Sequence, residues 1–306
     1  MLKPTTVDAP AKLLEFLFAR MPEVKKTKVR EWLKFQAVLV NGRPVTQFDH
    51  ALAPGDVVEI RSGRFAAPKV RLGGGMKIWF EDAHLIVVDK PADLLSIASP
   101  DEAERTAYFL LTDYVRKGRQ DSRERVWIVH RLDKETSGLM VFAKTAEVKE
   151  ALQSGWEDVE KRYEAVVEGR LPEPRGTLEC HLDETNRFKV FVVPRAEGMR
   201  HAVTHYRVLG ATPKRSLVEL TLETGRRHQI RVQLAHAGCP ILGDEKYGAC
   251  TNPAHRLALH STSLRFTHPV TGRELAFASP LPKELVAVAP PPFQKRPDKR
   301  MPAPGT

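Results

Sequence analysis

Between Lys77 and Val288 the apolar residues come in short runs of strand length, with few helical stretches between them. The segments Ile78–Phe80, Leu85–Asp89, Arg162–Glu168, Thr177–Leu182, Lys189–Val193, Ala202–Leu209, Ser216–Leu222, Leu257–Phe266 and Glu274–Ala278 read as strands. Helices are predicted over Thr106–Lys117, Ala146–Gly155 and Gln229–Ala237. A doubly wound nucleotide-binding fold places a helix after nearly every strand, and this chain does not. The fold class expected is therefore α+β, with a mixed, largely antiparallel sheet. At 306 residues, 42% of them hydrophobic, the chain is long enough for one large domain and a small one.

The small domain is expected over residues 1–62. Asp8 is placed to cap a helix with Pro10 in its first turn and Leu13, Leu14, Phe16 and Leu17 on its apolar face. A second helix over Thr27–Gln36 sets Val29, Trp32 and Leu33 on one side and Lys25, Lys26, Lys28, Arg30 and Lys34 on the other. Val38–Val40, the turn at 41–42 and Pro44-Val45 read as a hairpin, and residues 53–56 turn into a strand over Val57–Ile60. A basic, glycine-containing linker is expected over 63–76. No Gly-Lys-Ser/Thr follows Gly73–Gly75, so it is not a phosphate loop, and no nucleotide cofactor is expected. The main domain follows over 77–288, and 289–306, with six prolines and four Lys or Arg, reads as a disordered tail.

Charge narrows the choice of partner. The formal net charge is +10, and residues 1–75 hold thirteen Lys and Arg against seven Asp and Glu. Such a surplus suits a polyanion, although a basic helix face is by itself often only solvated. No apolar run of about 18 residues exists, and the N-terminus lacks a signal-peptide core, so a cytoplasmic protein without membrane contact is expected. Cys180, Cys239 and Cys250 suggest no disulfide framework; Cys239 and Cys250 lie near His255 and His260 but lack knuckle spacing, so no metal is expected.

Two segments carry chemistry. His130–Gly138 reads His-Arg-Leu-Asp-Lys-Glu-Thr-Ser-Gly and presents Asp133 in a polar loop between the apolar runs Val126–Val129 and Leu139–Ala143. A lone loop Asp is most often a turn or cap residue. Residues Thr224–Arg231, Thr-Gly-Arg-Arg-His-Gln-Ile-Arg, form a basic loop running into an amphipathic stretch. Thr136 and Ser137 lack an Asp–His relay in sequence and are read as shaping the loop.

These segments resemble the motifs of the RluA-type pseudouridine synthases over most of 77–280: "LIVVDKPADLLS" (85–96), "HRLDKETSGLMVFAKT" (130–145), "KRYEAVVEG" (161–169), "AVTHYRVL" (202–209) and "LETGRRHQIRVQLAHAGCPILGDEKYG" (222–248), in the family's order. One departure is Asp93, where the family usually has Gly. The order basic helix, "VLVNGRPV", "LAPGDVVEI" in the small domain is similar to the S-four type RNA-binding domain. The resemblance implies an isomerase that converts uridine in structured RNA to its carbon-linked isomer, without cofactor or metal. It makes Asp133 the reactive carboxylate, Arg231 the partner that holds it ionised and aimed, and Tyr163 the ring that stacks on the target base. It gives Arg131 the space left by a base swung out of the RNA, and leaves Arg226 and Arg227 as phosphate contacts. His130 and His228 are read as structural or RNA-contacting. Lys25, Lys26, Lys28 and Arg30 would contact RNA from the S-four-like domain. Members with this extra domain resemble chiefly the enzymes of large-subunit ribosomal RNA; transfer RNA, or RNA binding without catalysis, are the alternatives. A monomer is expected.

Overall fold

The computed structural model describes residues 4–34, 37–41, 43–45, 47–60, 70–98, 102, 104–117, 119 and 121–291. The first elements are β1 (Thr5–Thr6), β2 (Ala11–Lys12), α1 (Leu13–Arg20), α2 (Lys26–Lys34), β3 (Val38–Val40), β4 (Arg43–Pro44), β5 (Ala51–Leu52) and β6 (Val57–Ile60). β3 pairs with β4 and β6, and β6 with β1, all antiparallel. Leu13 and Leu17 of α1 are buried with Val29 and Leu33 of α2 and with Val38 and Val58. Val29 and Leu33 sit one turn apart facing this core, and Lys25, Lys26, Lys28 and Arg30 are exposed. Asn41 takes the left-handed φ of 53° that the hairpin turn needs, and Asp56 accepts from its side chain at 2.7 Å.

The expected cap at Asp8 is not formed. Residues 11–12 pair with 51–52, which delays the helix to Leu13 behind an uncapped Lys12, and Asp8 instead pairs with Arg20 at 2.7 Å. The end of the second predicted helix, at 35–36, the linker residues 61–69 and the tail residues 292–306 lie outside the described residues. From Val70 the segment expected as a linker already joins the main sheet.

The main domain continues with β7 (Val70–Arg71), β8 (Lys77–Glu81), β9 (Leu85–Lys90), α3 (Ala107–Arg116), β10 (Trp127–Ile128), β11 (Ser137–Ala143), α4 (Ala146–Ser154), β12 (Glu160–Glu168), β13 (Arg175–Asp183), β14 (Phe191–Val193), β15 (Arg200–Ala211), β16 (Arg215–Leu222), α5 (Gln229–His236), β17 (Leu259–Thr267), β18 (Glu274–Ala278) and α6 (Lys283–Val288). The strands form one sheet in the order β14-β13-β15-β16-β12-β17-β11-β9-β8-β7, with β10 on β11 and β18 on β17. Each pairing is antiparallel except β11 with β17. The expected mixed, largely antiparallel sheet is what forms.

β11 is buried along its whole length, which explains its unbroken apolar run: Leu139 and Val141 face Val148 and Leu152 of α4, while Met140 and Phe142 face the layer holding Leu111 of α3 and Leu234 of α5. Thr106 caps α3 by accepting from the Phe109 amide at 3.0 Å, and Thr145 caps α4 by accepting from that of Val148 at 3.3 Å. Two expectations shift. The strand predicted from Lys189 starts only at Phe191, because Asn186 Oδ1 accepts from the amides of Phe188 and Lys189 and holds them in a turn. α6, anchored by buried Leu285, lay hidden in a proline-flanked stretch too short to show a period.

Candidate active site

Asp133 lies in the loop between β10 and β11, and the backbone on either side of it is pinned. Ser96 Oγ donates to Leu132 O at 2.6 Å and accepts from Leu132 N at 3.2 Å. Lys90, fully buried at the end of β9, donates to Pro91 O at 3.0 Å, Leu94 O at 2.7 Å and Lys134 O at 3.0 Å. Three ammonium hydrogens meet three carbonyls, the arrangement a buried lysine needs, and burial still pulls its pKa down to about 7. Sequence reasoning gave neither residue a role, although both lie within the quoted segment 85–96. Asp93 between them has φ 61°, a left-handed geometry that glycine adopts freely and aspartate tolerates, so the departure from the family pattern leaves the turn standing.

Arg231 approaches from α5. The predicted amphipathic stretch is instead buried on nearly every side: Gln229 through Leu234 are all inside, and its polar side chains are bonded there. Gln229 donates to Val203 O and Thr204 Oγ1, and Gln233 to Leu178 O and Ala202 O. The Arg231 guanidinium, 3% exposed, meets three carboxylates. Nε and Nη2 donate to the two oxygens of Asp244 at 2.7 and 2.8 Å, while Nη1 faces Glu135 Oε2 at 3.2 Å and Asp133 Oδ2 at 3.6 Å. The predicted Asp133–Arg231 pair is thus formed, but through the one nitrogen that Asp244 leaves free. Asp244 and Glu135 went unassigned in the sequence; Asp244 lies in the last quoted segment, 222–248, thirteen residues beyond Arg231.

The electrostatics follow from this crowding. Burial pushes the Asp133 carboxyl up from the ordinary range, and Arg231 opposes it. Burial also works against the Arg231 charge, but Asp244, Asp133 and Glu135 hold its pKa above the usual value. Tyr163 lies buried in β12 opposite Ser261 of β17, to which its hydroxyl is bonded; burial and the Asp133 charge raise its pKa, so the phenol stays protonated. Ser261 is in turn opposite Gly138, where β11 and β17 run parallel. A Cβ at Gly138 would come 2.3 Å from Ser261 O, which is why the loop motif ends in glycine.

His228 joins this group. It sits in left-handed conformation ahead of α5, with Nε2 4.0 Å from Asp133 Oδ1 and Nδ1 2.8 Å from the Tyr247 hydroxyl. Burial and the nearby Arg231 lower its pKa to about 4, so it is neutral near pH 7. His130 is structural in geometry: Nε2 accepts from Val141 N at 3.1 Å, the ring stacks on Trp156, and burial lowers its pKa to about 3. Arg131 and Arg226 are exposed. Arg227, expected at phosphate, is engaged within the protein: its guanidinium donates to the carbonyls of Glu184, Asn186 and Arg187. Lys25, just ahead of α2, and Lys26, Lys28 and Arg30 on it are not among the groups that set the Asp133 charge. Among the described residues no cluster of His, Cys, Asp and Glu could hold a metal ion, and no helix is long and apolar enough to cross a membrane.

A family model described as RNA pseudouridylate synthase matches residues 84–236, a span that contains Asp133, Tyr163 and Arg231. The chain belongs to the RNA pseudouridylate synthase family. Its sequence is 34% identical to the ribosomal large subunit pseudouridine synthase D of Xanthomonas campestris, covering 86% of this chain and 83% of that one. It is 32% identical to the protein of the same name from Escherichia coli K12, over 90% and 88% of the two chains. Among solved structures, human RNA Pseudouridylate Synthase Domain Containing 4 superposes with a TM-score of 0.56 and 28% identity, over 68% of this chain and 90% of that one. The protein is an RNA pseudouridine synthase, an isomerase, and its main domain has the pseudouridine synthase fold.

Proposed function

We propose that Asp133 is the reacting carboxylate, that Arg231 aims it, and that the RNA acted on is large-subunit ribosomal RNA. The observation that carries the site reading is the meeting of Asp133, Arg231 and Tyr163, drawn from three distant segments, at one partly buried site. The substrate reading rests on the printed names of the Xanthomonas and Escherichia relatives, which match over more than four-fifths of their length.

The isomerisation breaks the bond between ribose and uracil nitrogen, turns the ring, and joins carbon-5 to the same ribose carbon; a proton leaves carbon-5 and one is gained at the freed nitrogen. Two first steps are open to Asp133, attack on the ribose carbon or removal of a proton, and both need it ionised. Arg231 supplies that by offsetting the burial that raises the carboxyl, and Asp244 fixes where its free Nη1 points. Tyr163 presents a ring for the uracil to stack against and, being protonated, a hydroxyl that donates. The target base must leave the RNA stack, which costs a few kcal/mol, and exposed Arg131 beside Asp133 is suited to fill the gap. His228 stands 4.0 Å from Asp133, and exposed Arg226 is read as a phosphate contact.

Residues 1–62 are read as an S-four-like RNA-binding domain. The exposed Lys25, Lys26, Lys28 and Arg30 face supports this, since folded RNA is bound largely by shape and backbone charge. The remaining boundaries read 63–76 as a connection, 77–288 as the catalytic domain and 289–306 as a basic tail. The protein is read as a cytoplasmic monomer. Mapping pseudouridine across total RNA from cells with and without the gene tests the substrate: sites in large-subunit ribosomal RNA that vanish support it, and losses confined to transfer RNA overturn it.

A further inference from the structure

We infer that Phe188 is a stacking platform for an unpaired nucleobase of the substrate RNA, outside the uracil pocket. The inference rests on the RNA reading above. Phe188 is 72% exposed, the most exposed of the large apolar side chains described, and a phenylalanine left in water contributes nothing to folding. Nor is it on a loose segment. Asp183 Oδ1 accepts from Thr185 N at 2.8 Å, and Asn186 Oδ1 accepts from Phe188 N at 2.8 Å and Lys189 N at 3.1 Å, so side chains bond three amides of the turn that lifts the ring.

The turn is also tied at both ends to the segment that carries Arg231. On one side Arg227 donates to the Glu184, Asn186 and Arg187 carbonyls, and its own amide donates to Glu184 Oε1 at 2.7 Å. On the other, Val190 N donates to the Tyr247 hydroxyl at 3.0 Å, the same hydroxyl that meets His228 at 2.8 Å, with His228 4.0 Å from Asp133. A basic motif residue that could have met phosphate is thus committed to holding this turn beside the site.

Charge complements the ring. Arg187 lies over Phe188 at 5.6 Å, and Lys189 lies near the rings of Phe191 and Tyr247 at 5.8 and 5.5 Å. An aromatic face flanked by cations is how proteins hold single-stranded RNA, the base on the ring and the phosphates on the cations. A duplex hides its base faces, so the occupant is an unstacked nucleotide near the target uridine.

Two measurements on the full-length protein test this. With large-subunit ribosomal RNA from a gene-deleted strain, Phe188→Ala is expected to raise KM on the order of tenfold while kcat stays within about twofold, and Phe188→Tyr to restore KM. Second, Phe188→Trp adds a reporter to the four native tryptophans. Its added fluorescence is expected to be quenched by a single-stranded RNA oligonucleotide and not by an abasic ribose-phosphate strand of equal length. Wild-type KM in Phe188→Ala, or equal quenching by both strands, overturns the platform while leaving the synthase reading intact. If wild-type protein forms no pseudouridine in that ribosomal RNA, the substrate reading fails, and the quenching comparison still decides the platform.

Discussion

Arg231 grips Asp244 with two nitrogens, at 2.7 and 2.8 Å, and offers Asp133 only the third, at 3.6 Å. Asp244 is 1% exposed, so this is a buried, bidentate ion pair whose outer edge faces the Asp133 carboxylate. The guanidinium is a fixed part of the fold first and a partner of Asp133 second. That order decides what substitutions at the site will do.

Asp133→Asn keeps the volume and loses the carboxylate. Its loop is held through Leu132 and Lys134 by Ser96 and Lys90, so the variant is expected to fold and to bind RNA as the wild type does. Pseudouridine formation should fall on the order of 10³-fold or more. Single-turnover assay of the purified variant checks this, and turnover within tenfold of wild type sinks the assignment.

Arg231→Lys keeps a charge but not the fork that grips Asp244. With less positive charge aimed at Asp133, burial lifts the carboxyl further. Activity needs the ionised form and is lost as pH falls through that pKa, so the acid limb of kcat should move to higher pH, by about one unit for each 1.4 kcal/mol of lost interaction. Binding should change little. A kcat profile with an unmoved acid limb, together with weakened RNA binding, would instead make Arg231 a phosphate contact. Arg231→Ala is a poorer probe: it strands buried Asp244 and should cost about 3–5 kcal/mol of stability.

Tyr163→Phe retains the ring and loses the hydroxyl bonded to Ser261. Near-normal RNA affinity with a kcat lowered on the order of 10²-fold is expected. Stopped-flow turnover paired with filter binding separates the two; unchanged kcat would reduce Tyr163 to a stacking surface.

Stability should depend on pH through His260. It is 1% exposed, lies within hydrogen-bond distance of Ser137 and Ser279, and burial beside Arg256 and Lys77 lowers its pKa to about 3. The folded state keeps it neutral where the unfolded chain, with a pKa near 6.5, takes up a proton. Its contribution is therefore full above about pH 6.5 and falls by about 1.4 kcal/mol per unit as pH drops toward 3. Denaturant titrations at pH 7, 6 and 5 check the slope, and a His260→Asn variant should show a shallower one.

Converting Lys25, Lys26, Lys28 and Arg30 together to Gln should leave melting unchanged, since all four are exposed. RNA affinity should fall, and the plot of log affinity against log salt should become less steep by up to about three units. Unchanged affinity and slope would show the basic face of α2 to be merely solvated.

The sequence by itself determined most of the long strands of the main domain, its strand-rich order of elements, and the three motif residues Asp133, Tyr163 and Arg231, because strand periodicity and contiguous motifs are local properties of a chain. It also carried the glycine of the Asp133 loop, forced by the close parallel passage of β11 beside Ser261. It did not reveal Lys90, Ser96, Asp244 or Glu135 as parts of the site, the burial of α5, or the diversion of Arg227 into the Phe188 turn. Each of those depends on a partner far along the chain: Lys90 reaches Lys134, Arg231 reaches Glu135, and Arg227 reaches Arg187. A basic or acidic side chain looks the same in sequence whether it faces solvent or a buried carboxylate or carbonyl. Only the tertiary structure decides which, because desolvation and the distance to the opposite group, not residue type, set the energy of a charge.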